Sequence, residues 1–341
     1  MTFQITVQPS GHQFACEPDE TILAAAMRAG VGLPYGCKNG ACGSCKGKVV
    51  KGEVTHGMHQ QRALPADEEA GGAALFCCAS AHSDLVIEVR EVAGSSDFPI
   101  RKLPSRVTTI ERVAPDVVVI SLQLPAAERF QYRAGQYIEF MLPGGKRRSY
   151  SMASGPDQEG PLTLHIRHMP GGLFTEQVFG TMKERDILRF EGPLGTFFLR
   201  EDSDKPIVLL ASGTGFAPIK AIVEHMIHLQ STRPILLYWG GRRPQDLYMD
   251  TLCRQWQASL PHFSYVPVVS DAQPADAWQG RSGFVHRAVI DDLPDLSAYQ
   301  VYACGAPVMI DSAKRDFVQL CQLPQDEFYA DAFTTEADLA A

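Results

Sequence analysis

Three cysteines, Cys37, Cys42 and Cys45, stand in the frame Cys-x4-Cys-x2-Cys, and a fourth follows at Cys77 or Cys78. Thiolates at this spacing hold one [2Fe–2S] cluster, a carrier of single electrons. Four thiolates around two irons leave a net negative cluster whose sulfurs need amide N–H donors. Gly36, Gly40 and Gly43, with the small Ala41 and Ser44, let the backbone wrap close and aim those amides inward. A structural zinc site more often presents two short-spaced ligand pairs. Cys16, Cys253 and Cys321 read as small buried hydrophobes.

A second group is Arg148-Ser149-Tyr150-Ser151. The guanidinium can neutralise a pyrophosphate, the phenol ring can lie on an isoalloxazine, and the Ser151 hydroxyl can bond the flavin N5. Pro170-Gly-Gly172-Leu173-Phe174-Thr175 is a glycine turn opening a short helix, which presents free N–H groups to a phosphate. Gly213-Thr214-Gly215-Phe-Ala-Pro218 is a second such turn, between an apolar strand and a helix. It departs from the usual dinucleotide fingerprint because Pro218 takes the third glycine's place, where proline in a first helical turn costs little. Gly240 and Arg242 end the next strand, where an adenosine ribose should lie; Arg242 or Arg243 could meet a 2′-phosphate.

Elements that position these groups follow from periodicity. Residues 3–7 alternate as a strand with a hairpin partner at 13–16. A helix follows, capped by Asp19, with Ile22, Leu23, Ala26 and Met27 on one face and Gly30 at its end. The cysteine loop spans 36–47, and 85–89 closes the unit as a strand. Residues 93–102 read as a linker. Strand-like runs at 106–113, 117–122, 136–141, 162–167 and 187–190 predict a sandwich or barrel. From residue 202, apolar runs at 207–210, 235–238, 263–269 and 300–303 alternate with helical stretches, which argues a parallel α/β sheet. The expected domains are 1–92, 103–201 and 202–341.

The 341-residue chain, 45% hydrophobic and 21% charged, has enough apolar mass for two or three cores. A net charge of −8 argues against a nucleic-acid partner. The longest apolar runs are strand-length, so no membrane span is expected. The N-terminus alternates like a strand and lacks a signal pattern, so a cytoplasmic protein is expected. Six of nine cysteines crowd the first quarter, which favours metal binding over a disulfide scaffold.

With these motifs in place, residues 103–335 resemble the ferredoxin–NADP reductase superfamily, and the cysteine region resembles plant-type ferredoxins. The resemblance implies an N-terminal β-grasp ferredoxin, an antiparallel β-barrel FAD domain and a C-terminal parallel α/β nucleotide-binding domain: α+β and α/β together. In plant-type ferredoxins the last ligand stands seven residues before an Asp preceding the final strand; counting back from Asp84 implies Cys77. The resemblance also implies that His165, Ile166 and Arg167 line the FAD adenine and ribityl side, and that Cys304, Gly305 and Pro307 belong to a nicotinamide motif with Cys304 at C4. Asp331 would sit near the nicotinamide and Phe333 would cover the flavin. The order of parts resembles three-domain iron–sulfur flavoprotein reductases, among them reductase components of bacterial oxygenases and of a deoxysugar pathway. Implied are FAD, the [2Fe–2S] cluster and NADH, with NADPH possible. The expected partner is an electron-acceptor protein, an oxygenase or a pyridoxamine-dependent CDP-deoxysugar dehydratase, served by a monomer. Two alternatives are a flavin reductase releasing reduced flavin and a redox-sensing iron–sulfur protein.

Overall fold

The computed structural model describes residues 2–334. They divide into two compact units, residues 2–99 with 331–334, and residues 100–330.

The first unit opens with β1 (Phe3–Gln8), paired antiparallel to β2 (Gln13–Cys16). Helix α1 (Ile22–Arg28) is capped by Thr21, whose hydroxyl accepts from the Ala24 N–H at 3.2 Å; the expected cap, Asp19, stands two residues too early. Gly30, with φ 75°, turns the chain out of the helix. Then come β3 (Lys46–Lys51), β4 (Val54–His56), the short α2 (Ala66–Ala70), β5 (Ala73–Leu75), β6 (Ala79–Ala81) and β7 (Leu85–Glu88). The main sheet runs β2-β1-β7-β3-β5, with β1 and β7 parallel and β3 antiparallel to β7. One face buries Ile5, Val7, Phe14, Ile22, Leu23 and Ile87. Each such side chain contributes about 1.5–3 kcal/mol. Phe76 is fully buried and its carbonyl accepts from Leu23 N–H at 2.8 Å, so core packing fixes the position of its neighbour Cys77.

The second unit begins with β8 (Arg101–Ala114), whose start lies inside the expected linker. It continues through β9 (Val117–Gln123), β10 (Tyr137–Met141), β11 (Arg147–Ser151), β12 (Leu162–Arg167), α3 (Leu173–Gly180) and β13 (Ile187–Leu194). The paired strands are antiparallel in the order β11-β10-β13-β8-β9-β12. A bridge between Met152 and Leu164 joins the two ends and closes a barrel. Phe140, Leu164, Phe174 and Phe190 fill it.

A second sheet then forms from β14 (Ile207–Ser212), β15 (Ile235–Gly241), β16 (Phe263–Val269), β17 (Arg281–Ser282), β18 (Gln300–Gly305) and β19 (Phe328–Ala332), in the order β17-β16-β15-β14-β18-β19. Its helices are α4 (Phe216–His228), α5 (Asp250–Ser259), α6 (Val285–Asp292) and α7 (Pro307–Leu320). Strands β14 to β18 pair in parallel, and residues 207–211 are wholly buried, which explains their unbroken apolar run. The strand order reverses at β14, which has β15 on one side and β18 on the other. Open α/β sheets bind ligands at such a switch point, outside the strands' carboxyl ends. No helix among the described residues is long and apolar enough to cross a membrane.

Candidate functional site

The cysteine loop folds as its glycines allow. Gly40 and Gly43 both have φ 78°, and a Cβ on Gly40 would stand 2.8 Å from the Met58 carbonyl oxygen. The loop therefore lies flush on residues 57–62, with Gln60 N–H donating to Gly40 O at 3.1 Å and Arg62 Nη2 to Ala41 O at 3.1 Å. The four thiols converge: Cys37 meets Cys42 and Cys77, and Cys45 meets Cys77. Cys78 Sγ stands 3.7 Å from Cys77 Sγ, half-buried beside the group. Cys42 N–H donates to Cys37 Sγ at 3.3 Å, and Cys37 N–H to Cys42 Sγ at 3.4 Å. Crowding then holds two thiols protonated, the Cys42 thiol pushed up by Cys37 and then burial, the Cys45 thiol by Cys77 and then burial. A group that binds all four as thiolates removes that conflict, so the donor set fits an iron–sulfur cluster. Among the described residues, no three His, Cys, Asp or Glu are placed to hold a single metal ion; the thiols are linked pairwise.

In the barrel, Arg148-Ser149-Tyr150-Ser151 lies within β11, the strand that follows β10. Ser151 is buried, and the Tyr150 ring packs 5.4 Å from Phe174 and 6.0 Å from Phe140. Gly172 caps α3, and a Cβ there would meet Thr175 Oγ1 at 2.6 Å. Glu176 Oε1 accepts from Gly171 N–H at 2.9 Å, and the first intrahelical bond is Glu176 N–H to Gly172 O. The N–H groups of Leu173, Phe174 and Thr175 are left to face an anion.

Strand β12 carries the clearest sign of a missing ligand. Thr163, His165 and Arg167 share one face of it, at i, i+2 and i+4. Thr163 Oγ1, His165 Nε2, and Arg167 Nε and Nη2 are all buried without a hydrogen-bond partner among the described residues. Arg167 Nε pairs with Asp116 Oδ2 at 3.2 Å as an ion pair, off the hydrogen-bonding direction. A polar molecule along this face would satisfy all of them, so the face fits a nucleotide. Ile166 points the other way, into the barrel core.

This polar face looks at the second sheet. A Cβ on Gly213 would stand 2.9 Å from Arg167 Nη1, and His165 Nδ1 is 2.9 Å from the Tyr248 hydroxyl. Burial first, and the Lys220 charge second, push His165 down to about 3, so the ring is neutral. Gly213, with φ 53°, and Thr214 and Gly215 form the turn before α4, in which Pro218 is the third residue. A Cβ on Gly215 would stand 2.1 Å from the Cys304 carbonyl oxygen, and one on Gly305 would stand 2.2 Å from Ser212 Oγ. Ala306 N–H donates to that Oγ at 2.9 Å, and Pro307 opens α7. Cys304 is fully buried. The two glycine motifs therefore interlock at the switch point.

Gly240 packs beneath Val285 of α6. Arg242 is exposed, whereas Arg243 forks onto Asp276 at 2.7 and 2.6 Å. Asp331 is buried in β19 and Phe333, just past it, is half-buried; residues 335–341 lie outside the described residues.

Periodicity and motif reading missed Tyr248, Trp239, Phe216 and Lys220. Trp239 donates Nε1–H to Gly213 O at 3.0 Å and stacks on Phe216 at 4.0 Å. Lys220 Nζ donates to Ala153 O at 3.0 Å, close after Ser151, and Glu224 accepts from Gly155 N–H at 3.1 Å. The Lys220–Glu224 pair at i, i+4 beside a glycine turn was the one visible signal.

Known proteins align along the whole chain. Residues 5–82 match the 2Fe-2S iron-sulfur cluster binding domain, 104–199 the oxidoreductase FAD-binding domain, and 209–315 the oxidoreductase NAD-binding domain. The chain is 40% identical to the CDP-6-deoxy-L-threo-D-glycero-4-hexulose-3-dehydrase reductase of Yersinia pseudotuberculosis, over 98% of this chain and 99% of the relative. It is 34% identical to a terephthalate 1,2-dioxygenase reductase component of a Comamonas species, over 98% of both. Its fold matches the crystal structure of an Amycolatopsis cytochrome P450 reductase with a TM-score of 0.80, at 35% identity, covering 98% of this chain and 99% of that one.

Proposed function

The chain belongs to the three-domain iron–sulfur flavoprotein reductases of ferredoxin–NADP reductase type, an NAD(P)H-dependent oxidoreductase family, and from that premise we propose that it passes electrons from NADH to a separate acceptor protein. When bound, FAD takes two electrons as hydride and yields them singly, and the cluster carries them one at a time. The observation that carries the reading is the unsatisfied polar face of β12 turned onto the interlocked glycine motifs.

Each residue then has a task. Cys37, Cys42, Cys45 and Cys77 hold the cluster, with the Cys37 and Cys42 amides stabilising charge on sulfur. Arg148 and the 173–175 amides take the FAD pyrophosphate, Tyr150 packs on the isoalloxazine, and the Ser151 hydroxyl meets N5. His165 and Arg167 line the adenine and ribityl side of FAD, while Gly213 and Gly215 seat the nicotinamide nucleotide, with Cys304 at the reacting end; Asp331 and Phe333 serve the same step. NADH is the favoured donor, because Arg243 is committed to Asp276. The acceptor is a pyridoxamine-dependent CDP-deoxysugar dehydratase in preference to an oxygenase, since identity to the dehydrase reductase exceeds that to the dioxygenase component. The protein works as a cytoplasmic monomer.

An absorption spectrum of the iron-replete protein tests the reading: flavin bands with iron–sulfur shoulders, bleached by NADH, are expected. A protein with iron but no flavin band would sink it. Cys42→Ser separates this reading from a flavin reductase. The variant should lose cytochrome c reduction yet still oxidise NADH with ferricyanide. Undiminished cytochrome c reduction would favour release of reduced flavin.

A further inference from the structure

Four aromatic rings connect the barrel to the nucleotide sheet. Trp239 holds the glycine turn through Gly213 O and stacks face to face on Phe216, the first residue of α4. Tyr248 stands edge-on to Trp239 at 5.1 Å and to Phe216 at 6.4 Å, and edge-on to His165 at 5.4 Å. Its hydroxyl reaches the His165 ring nitrogen on β12. We propose that Tyr248 is a positioning residue for the NADH step: its hydrogen bond to His165 fixes the glycine turn against barrel strand β12, and so sets the separation at which the two nucleotides meet.

Geometry distinguishes this link from the other ties between barrel and sheet. Lys220 to Ala153, Glu224 to Gly155 and His225 to Asp157 hold the body of α4. The Tyr248 link instead comes from the β15–α5 connection and acts, through Trp239, on the turn that precedes α4. It also ends on a side chain with an unmet need. With Tyr248 donating to Nδ1, the ring proton sits on His165 Nε2, a buried donor without an acceptor among the described residues. A polar atom of the flavin nucleotide along β12 would meet it, so one imidazole would touch the ligand on one side and the latch on the other.

The inference rests on the proposed function, and Tyr248→Phe in the holoprotein tests it. The substitution keeps the ring and removes the hydroxyl. Three quantities are measured: flavin bleaching by saturating NADH in stopped flow, ADP-ribose affinity by calorimetry, and FAD affinity by fluorescence. Bleaching roughly tenfold or more slower, with both affinities within twofold, is the expected result. His165→Asn, which keeps a polar group near Nδ1, should restore part of the rate that His165→Phe loses. An unchanged bleaching rate in Tyr248→Phe overturns the inference. So does a loss of ADP-ribose affinity as large as the loss of rate, which would make Tyr248 a binding residue. If the unmodified protein is not bleached by NADH at all, the functional reading fails first and this one falls with it.

Discussion

Gly215 passes so close to Cys304 that an added methyl would lie 2.1 Å from the Cys304 carbonyl oxygen. The obstructing atom is backbone, so it cannot swing aside as a side-chain tip could. Gly215→Ala is expected to destabilise the protein by about 2–3 kcal/mol through overpacking. It should also raise the KM for NADH, because the turn must move to make room. Urea unfolding and steady-state kinetics check both; wild-type values in each would show that the two motifs do not interlock.

The choice between two adjacent thiols is directly testable. Cys77 is touched by Cys37 and Cys45, while Cys78 stands at 3.7 Å from Cys77. Cys77→Ser is expected to abolish the iron–sulfur absorbance, and Cys78→Ser to leave most of it. Iron content and visible spectra of the two purified variants decide. The reverse pattern would move the fourth ligand by one residue.

Cofactor preference should respond to a residue that touches no nucleotide. Asp276, held ionised first by its hydrogen bond from Arg243, keeps that guanidinium folded away. Asp276→Ala frees it to meet a 2′-phosphate, so the NADPH to NADH ratio of kcat/KM should rise about tenfold, the scale of one charge-assisted bond. An unchanged ratio would return the discrimination to Arg242.

Acid should destabilise the second unit through His165. Its pKa in the folded protein, about 3, lies below the ordinary histidine value of 6.5, so the unfolded chain binds the proton first. The stabilising effect of a neutral His165 is complete above pH 6.5. It is lost as pH falls from there towards 3, at up to about 1.4 kcal/mol per pH unit. His165→Asn should flatten that slope in urea denaturation between pH 6.5 and 4. Identical slopes would show that the ring is protonated in the folded protein.

What the sequence displayed was what short spacings encode. The Cys37–Cys42–Cys45 frame, the alternation of residues 3–7 and the buried run at 207–211 are local patterns with one physical reading each. Thr21 was overlooked as the helix cap because Asp19, two residues earlier, offers the same chemistry. The start of β8 at Arg101 was invisible because its pairing with β13, Arg101 to Gly192, is what makes it a strand. His165 and Tyr248 stand 83 residues apart, and no periodicity relates them. Arg242 and Arg243 look alike in sequence; the partner that separates them, Asp276, comes from another loop.

The place of β14 between β15 and β18 has a consequence for synthesis. On a ribosome β14 and β15 emerge before β18, and the strand that covers the other edge of β14 begins only at Gln300. Until then an apolar strand edge stays open on the nascent chain, a template for wrong pairing. Chains arrested before residue 300 should accordingly partition into the insoluble fraction or onto chaperones, whereas chains extended through Ala332 should not. The glycine interlock at the switch point can form only once β18 has emerged, so the first half of the nicotinamide site waits on a strand made long after it.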